Sequence, residues 1–426
     1  MSEPNTMTAT ELATRIDAGA LTAEAVIRSH LDRIDARDAD VLAWTHLARD
    51  AALERAKVLD RGPRQGLLHG IPFGVKDIID SYDQPTGYGS PIYKKHQPLA
   101  DAATVALPRA AGAILLGKTV TTEFANRTPG KTKNPHNPAH PPGGSSSGSA
   151  AAVADFQVTL ATGTQTGGSV IRPAAFCGIV GFKPSYGHFP PAGMKANTEW
   201  LDTVGCYARS VEDIALFRAA AMAIPFTPIR KIDSPPRIAL CWTHHRTELS
   251  TEAVSAVENA ALLLRQAGAQ VREMELPPPV TAMSEGQLTL SAFEGPRAAA
   301  DDARRGYDLL SKSFQTDKLK AGSKIDYATW AAARKLGETG RAAVDAMFDK
   351  IDVILTAPAL GEAPLGLSST GKATFNLLWT YLWMPCVTLP LGKGPTGLPV
   401  GIQLVGRQHE DARLLDIAVW ARSVLK

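Results

Sequence analysis

The sequence predicts an α/β fold, a sheet with helices packed on its faces, and two observations carry that expectation. Strand-length apolar runs alternate with helix-length amphipathic stretches from residue 71 to residue 276, and three further strand-like runs return after residue 350. A hydrophobic fraction of 44% and a charged fraction of 20% are those of an ordinary globular chain.

Residues 8–60 read as helices. Thr8 and Glu11 form a capping box, and Thr22 precedes Ile27, Leu31 and Ile34 at helical spacing. This N-terminal arm packs on the body, and a homodimer contact is a second role open to it. The segment 71–76 reads as a strand, 102–111 as a helix stopped by Gly112, and 113–117 as a strand. A Gly/Ser loop follows, then a strand over 156–162 and a helix from Val170.

A break at Ile224-Pro225-Phe226-Thr227-Pro228 and a turn at Ser234-Pro235-Pro236 precede a βαβ-like unit. It comprises a strand over 237–242, a helix over 251–267 stopped by Gly268, and a strand over 270–276, which extends the same sheet. Residues 284–348 are helical and polar, suited to covering a site. Strands resume at 351–356, 385–390 and 402–405. No internal repeat or low-complexity tail occurs, so one compact domain with an insertion is the simplest organisation.

Composition excludes several functions. The net charge is +3 and the basic residues are scattered, as in Lys94-Lys95 and Arg304-Arg305, which leaves no nucleic-acid footprint. Cys177, Cys206, Cys241 and Cys386 lie far apart without a CxxC pair, which argues against zinc or a redox dithiol and for a reducing cytoplasm. No apolar run of membrane-spanning length and no signal-peptide pattern occurs, so no membrane partner is expected. His136 and His140 flank a proline-containing loop, and His244 and His245 follow a strand-like run. No histidine has the spacing of a catalytic base.

The chemistry concentrates in three blocks. Ser145 lies in Pro142-Gly143-Gly144-Ser145-Ser146-Ser147-Gly148-Ser149, Ser169 in Gly163-Thr164-Gln165-Thr166-Gly167-Gly168-Ser169, and Lys76 in Gly70-Ile71-Pro72-Phe73-Gly74-Val75-Lys76-Asp77. A serine hydroxyl needs a base, and the base needs a third group that fixes or relays its proton; a lysine and two serines supply all three roles. The apolar run around Lys76 disfavours its ammonium form, and Asp77 on an extended strand points to the opposite face. Thr166, Gly167, Gly168 and Ser169 can turn successive amides toward one point and form an oxyanion hole, which the following helix N-terminus reinforces. Ser146, Ser147 and Ser149 support the loop.

Together with Leu201-Asp202-Thr203-Val204-Gly205 and Gly397-Leu398-Pro399-Val400-Gly401-Ile402-Gln403, these blocks resemble the amidase signature family of serine hydrolases. GTQTGGSVIRPA with GGSSSGSA upstream is most similar to its malonamidase-like branch. The resemblance implies a central mixed twisted sheet with helices on both faces in a single domain over 1–426, with an N-terminal arm at 8–60, catalytic motifs at 70–185 and a helical insertion or cover at 284–348. It makes Ser169 the nucleophile, Ser145 the bridging serine after a cis peptide bond and Lys76 the general base, with no cofactor and no metal. Arg172, three residues after Ser169, either clamps a substrate carboxylate or forms an internal ion pair. Thr121 stands where relatives carry a larger apolar pocket residue, and Gly144 is a further expected substrate contact. Trp200, Trp379, Tyr381 and Trp383 fall near the pocket by resemblance, although aromatic residues are more often core. Gln165 departs from the aspartate of many members.

The expected activity is hydrolysis of a small-molecule carboxamide through an acyl-enzyme, releasing ammonia or an amine. Carbamate or ester hydrolysis by the same machinery is an alternative, and an amidotransferase A-type subunit is a more distant one.

Overall fold

The computed structural model describes residues 3–278 and 283–426, so Met1 and Ser2 of the polar N-terminal stretch lie outside the described residues. The strands are β1 (Trp44–Leu47), β2 (Pro72–Lys76), β3 (Ile114–Thr119), β4 (Leu160–Gln165), β5 (Val180–Lys183), β6 (Thr203–Ala208), β7 (Arg237–Leu240), β8 (Gln270–Glu273), β9 (Val353–Thr356), β10 (Cys386–Lys393) and β11 (Pro399–Val405). They form one 11-stranded sheet in the order β1-β3-β2-β4-β6-β5-β10-β11-β9-β7-β8.

The sheet is mixed. β2 runs parallel to both β3 and β4, whereas β4 pairs antiparallel with β6, and β10 pairs antiparallel with β5 and β11. The predicted βαβ unit is present: β7 and β8 pair in parallel around helix Thr251–Gln266 and carry the sheet to one edge.

Alternation along the strands sends side chains to two faces. On β3, Leu115 joins one apolar cluster while Ile114 and Leu116 join another. The first cluster includes Val211, Ile214, Phe217, Leu414 and Ile417 from helices Val211–Ala221 and Asp411–Val424. The second includes Ile27, Leu31 and Ala150–Val153 from helices Ala23–Val41 and Ser147–Ala154. No helix among the described residues is long and apolar enough to cross a membrane.

The N-terminal arm differs from expectation in one element. The Thr8–Glu11 capping box and the Thr22 cap are present, but Leu42 turns left-handed at φ 58° and Trp44–Leu47 becomes β1, antiparallel to β3. Four residues are too few to show a strand period in a helical context. The strand expected from residue 156 begins at Leu160, because Phe156 has φ 60°. β5 and β6 were not anticipated: each contains glycine, which has low strand propensity, yet both are wholly buried between β4 and β10.

Gly148 shows how tightly the serine loop is seated. It lies within helix Ser147–Ala154, where a Cβ would collide with Ala43 O and Val120 N. Helix propensity favours alanine over glycine by about 1 kcal/mol, but backbone atoms cannot yield as a flexible side chain can. Gly148→Ala is therefore expected to destabilise the fold by about 1–3 kcal/mol in chemical denaturation; a gain in stability would contradict this packing.

Candidate active site

Lys76 ends β2, an interior strand between β3 and β4, and is fully buried. Its Nζ lies 2.7 Å from Ser145 Oγ and 2.6 Å from Thr164 Oγ1, with Thr164 O at 3.5 Å. Burial drives its pKa well below the ordinary lysine value of 10.5, while the Asp202 carboxylate pulls it back up. The neighbouring Asp77 points away, as expected. It accepts from Gly87 N at 3.1 Å and stands 4.0 Å from Lys118 Nζ, and burial raises its carboxyl to about 6.

Ser145 follows the cis Gly144–Ser145 peptide bond and is 1% exposed. The flanking serines hold the loop. Ser146 Oγ donates to Ser169 O at 2.7 Å, Ser147 Oγ donates to Gly143 O at 2.8 Å, and Ser149 Oγ pairs with Thr119 Oγ1 at 2.6 Å.

Ser169 lies just before helix Ile171–Cys177, on the wall of a cavity of about 440 Å³. Its Oγ has no hydrogen-bond partner among the described residues; the structure thus joins Lys76 to Ser145 and leaves the nucleophile candidate facing the cavity.

The glycine loop is turned by its carbonyls. Thr166 O accepts from Gln287 Nε2 at 2.7 Å, Gly167 O from Thr380 Oγ1 at 2.7 Å, Gly168 O from Arg172 N at 3.0 Å, and Ser169 O from Ser146 Oγ and, at 3.1 Å, Tyr207 OH. With all four oxygens engaged, the N–H groups of Gly167, Gly168 and Ser169 have no acceptor among the described residues. Fixed, unpaired donors of this kind suit a developing oxyanion.

Gln165 has a structural task here. Its Oε1 accepts from Val170 N at 2.9 Å and Ile171 N at 3.0 Å, capping the helix, while Nε2 donates to Thr380 Oγ1 at 2.9 Å. The departure from aspartate thus leaves the loop held by a neutral cap.

Arg172 lines the cavity and forms no ion pair among the described residues, which removes the internal ion pair as its explanation. Nη2 donates to Gly144 O at 2.5 Å and Thr370 Oγ1 at 3.3 Å, and Nε is buried without a partner. Burial lowers its pKa to about 10, so it remains charged at neutral pH.

The cavity wall includes neither Thr121 nor Gly144. Thr121 is buried next to Thr122, whose N–H donates to Ser145 O at 3.2 Å, and Gly144 offers its carbonyl to Arg172. No histidine lines the cavity, and His136 and His140 bond the backbone carbonyls of Cys177 and Ala363. Trp379 and Tyr381 are core, and Trp200 packs on Trp383 away from the cavity wall.

Several site residues were not identified from the sequence. Thr164 contacts Lys76 directly, and its only signal was membership of the second serine block. Asp202 accepts from Thr166 Oγ1 at 2.5 Å and from Asn197 N at 2.6 Å, and burial raises its pKa. Gln287 and Thr380 reach the loop from more than 100 positions away, and nothing local marks them.

A buried lysine bonded to a loop serine, and a second serine on a glycine turn at the cavity wall, make up the candidate active site. Residues 25–415 match the amidase family, and the chain belongs to it as an amide-hydrolysing enzyme. It is 33% identical over 473 residues to a glutamyl-tRNA(Gln) amidotransferase subunit of Acidothermus cellulolyticus, covering 97% of this chain and 93% of that one. Among solved structures, an amidase superposes with a TM-score of 0.90 at 28% identity, covering 99% of this chain and 100% of that one. The native peptide amidase of Stenotrophomonas maltophilia gives 0.84 at 28%, covering 99% and 97%.

Thr164→Val, nearly isosteric, removes one hydroxyl from Lys76. The expected loss is about tenfold in kcat, the scale of one hydrogen bond, with Thr164→Ser largely restoring it. Equal losses in both variants would contradict a hydroxyl role.

Proposed function

We propose that this enzyme hydrolyses small-molecule carboxamides by acylation of Ser169, with Ser145 relaying the proton and Lys76 acting as general base. The observation that carries this reading is the 2.7 Å contact between a wholly buried, desolvated Lys76 and Ser145. A neutral amine accepts the Ser145 proton as Ser145 accepts that of Ser169. Ser169 Oγ then bonds to the carbonyl carbon, and the oxyanion faces the N–H groups of Gly167, Gly168 and Ser169. The proton returns through Ser145 to the departing nitrogen, ammonia or an amine leaves, and water hydrolyses the ester by the same path. The helices of 284–348 serve as the cover of a single domain, with Gln287 bracing the loop from above.

The unpaired Arg172 supports an acidic monoamide as substrate, because a guanidinium at the cavity wall binds carboxylate in a two-point contact. That preference accords with the malonamidase-like form of GTQTGGSVIRPA, although the relatives described above bear other names. Carbamates and esters present a comparable carbonyl to the same nucleophile. A second reading, an amidotransferase component that releases ammonia from glutamine, draws support from the Acidothermus relative; glutaminase activity that appears only with a partner protein would favour it.

Ser169→Ala is expected to abolish turnover and the acyl-enzyme mass shift while leaving the fold intact; retained activity would contradict the assignment. Arg172→Lys is expected to reduce kcat/KM for malonamate about 10-fold or more, with a smaller effect on a neutral amide of equal length. Equal losses would make Arg172 a purely structural residue.

A further inference from the structure

The cavity beside Ser169 carries Arg127, Arg172 and Lys372 on its wall and no carboxylate. Past Asn126, Arg127, Leu288 and Ser291, which line both spaces, it adjoins a second hollow of about 240 Å³ whose wall includes Lys318.

Lys318 is built into this hollow. It belongs to the π-helical turn Phe314–Lys320, and its stem crosses helix Met283–Ala298 at Gly295, where a Cβ would overlap Lys318 Cε. The residue is 8% exposed, and Nζ donates to Ser291 O at 3.0 Å and Ser291 Oγ at 3.1 Å. An ammonium has three N–H groups, so one remains without a partner among the described residues. No carboxylate forms an ion pair with it there. Asp317, on the same wall, is engaged by Ser313 Oγ and Thr316 Oγ1, each at 3.0 Å.

The two buried cations are held from different sides. Arg172 is held by Gly144 O and Thr370, beyond the C-terminal end of the glycine loop. Lys318 is held by Ser291, one helical turn after the Gln287 that braces Thr166 at the loop's other end. Neither cation has a carboxylate at ion-pair distance among the described residues; Asp202 and Glu294 reach Lys318 only at longer range, so a ligand anion would still offset the cost of enclosure.

We infer that the substrate carries two acidic groups, one on each side of the scissile amide, the first taken by Arg172 and the second by Lys318 and Arg127 in the adjoining hollow. This rests on the amide-hydrolase reading and narrows it to N-acyl amino acids with an acidic acyl chain, cleaved to a dicarboxylate and an amino acid.

The test uses the full-length Ser169→Ala protein, calorimetry, and two probes: N-succinylglycine, acidic at both ends, and N-methylsuccinamate, acidic at the acyl end alone. N-succinylglycine is expected to bind about tenfold more tightly or better. Lys318→Met in that background should remove the advantage and leave N-methylsuccinamate unchanged. Arg127→Gln should lower N-succinylglycine affinity about threefold or more and serves if Lys318→Met does not fold. Equal binding of the two probes, no binding of N-succinylglycine, or equal weakening of both probes by the variants would overturn the inference. Turnover of malonamate by the unmodified enzyme is measured separately, so that loss of the diacid preference and loss of amide hydrolysis are distinguishable outcomes.

Discussion

The enclosure of the Lys76 amine among hydroxyls, without a carboxylate at contact distance, is the constraint on which the site depends. The protein holds other buried lysines, and each of these has a backbone carbonyl among its close partners. Lys118 donates to Ile79 O and Thr86 Oγ1 and stands near Asp77, Lys183 donates to Pro184 O at 2.8 Å, and Lys318 donates to Ser291 O as well as to its Oγ. A carbonyl oxygen can only accept, so it favours an amine that keeps its protons. Ser145 and Thr164 offer hydroxyls, which can donate to a neutral amine as readily as they accept from a charged one. Burial decides between the two states by penalising the ammonium form.

A second constraint complements it. The glycine loop exposes its N–H groups because each carbonyl from Thr166 to Ser169 is drawn elsewhere, by Gln287, Thr380, Arg172, Ser146 and Tyr207. These anchors come from helices Met283–Ala298, Thr374–Tyr381 and Ile171–Cys177, the serine loop and β6. Much of the fold therefore serves to fix the direction of a few peptide units, and Gln165 does the same for the helix that follows.

The sequence revealed what is local. Lys76 in its apolar run, the serine blocks and the turn of Asp77 away from Lys76 were legible because their environment lies within a few residues. So were the Thr8–Glu11 cap and the β7–helix–β8 unit. What was hidden depends on long-range partners. Gln287 and Thr380 are ordinary helix residues until the fold places them over the loop, β5 and β6 are glycine-containing strands that burial in the sheet sustains, and β1 is an edge strand defined by its distant partner β3. Arg172 could be read as a clamp or as an ion pair, and the absence of an ion pair among the described residues removed the second choice.

The central claim is that Lys76 is an uncharged amine at working pH. Nitrogen-15 NMR of the lysine side chains, with Lys76→Met to assign the signal, reads that charge directly across a pH titration. The account predicts that the Lys76 nitrogen has the chemical shift of a neutral amine at pH 7.5 and titrates well below the ordinary lysine value. An ammonium shift that persists to the ordinary lysine range would contradict it.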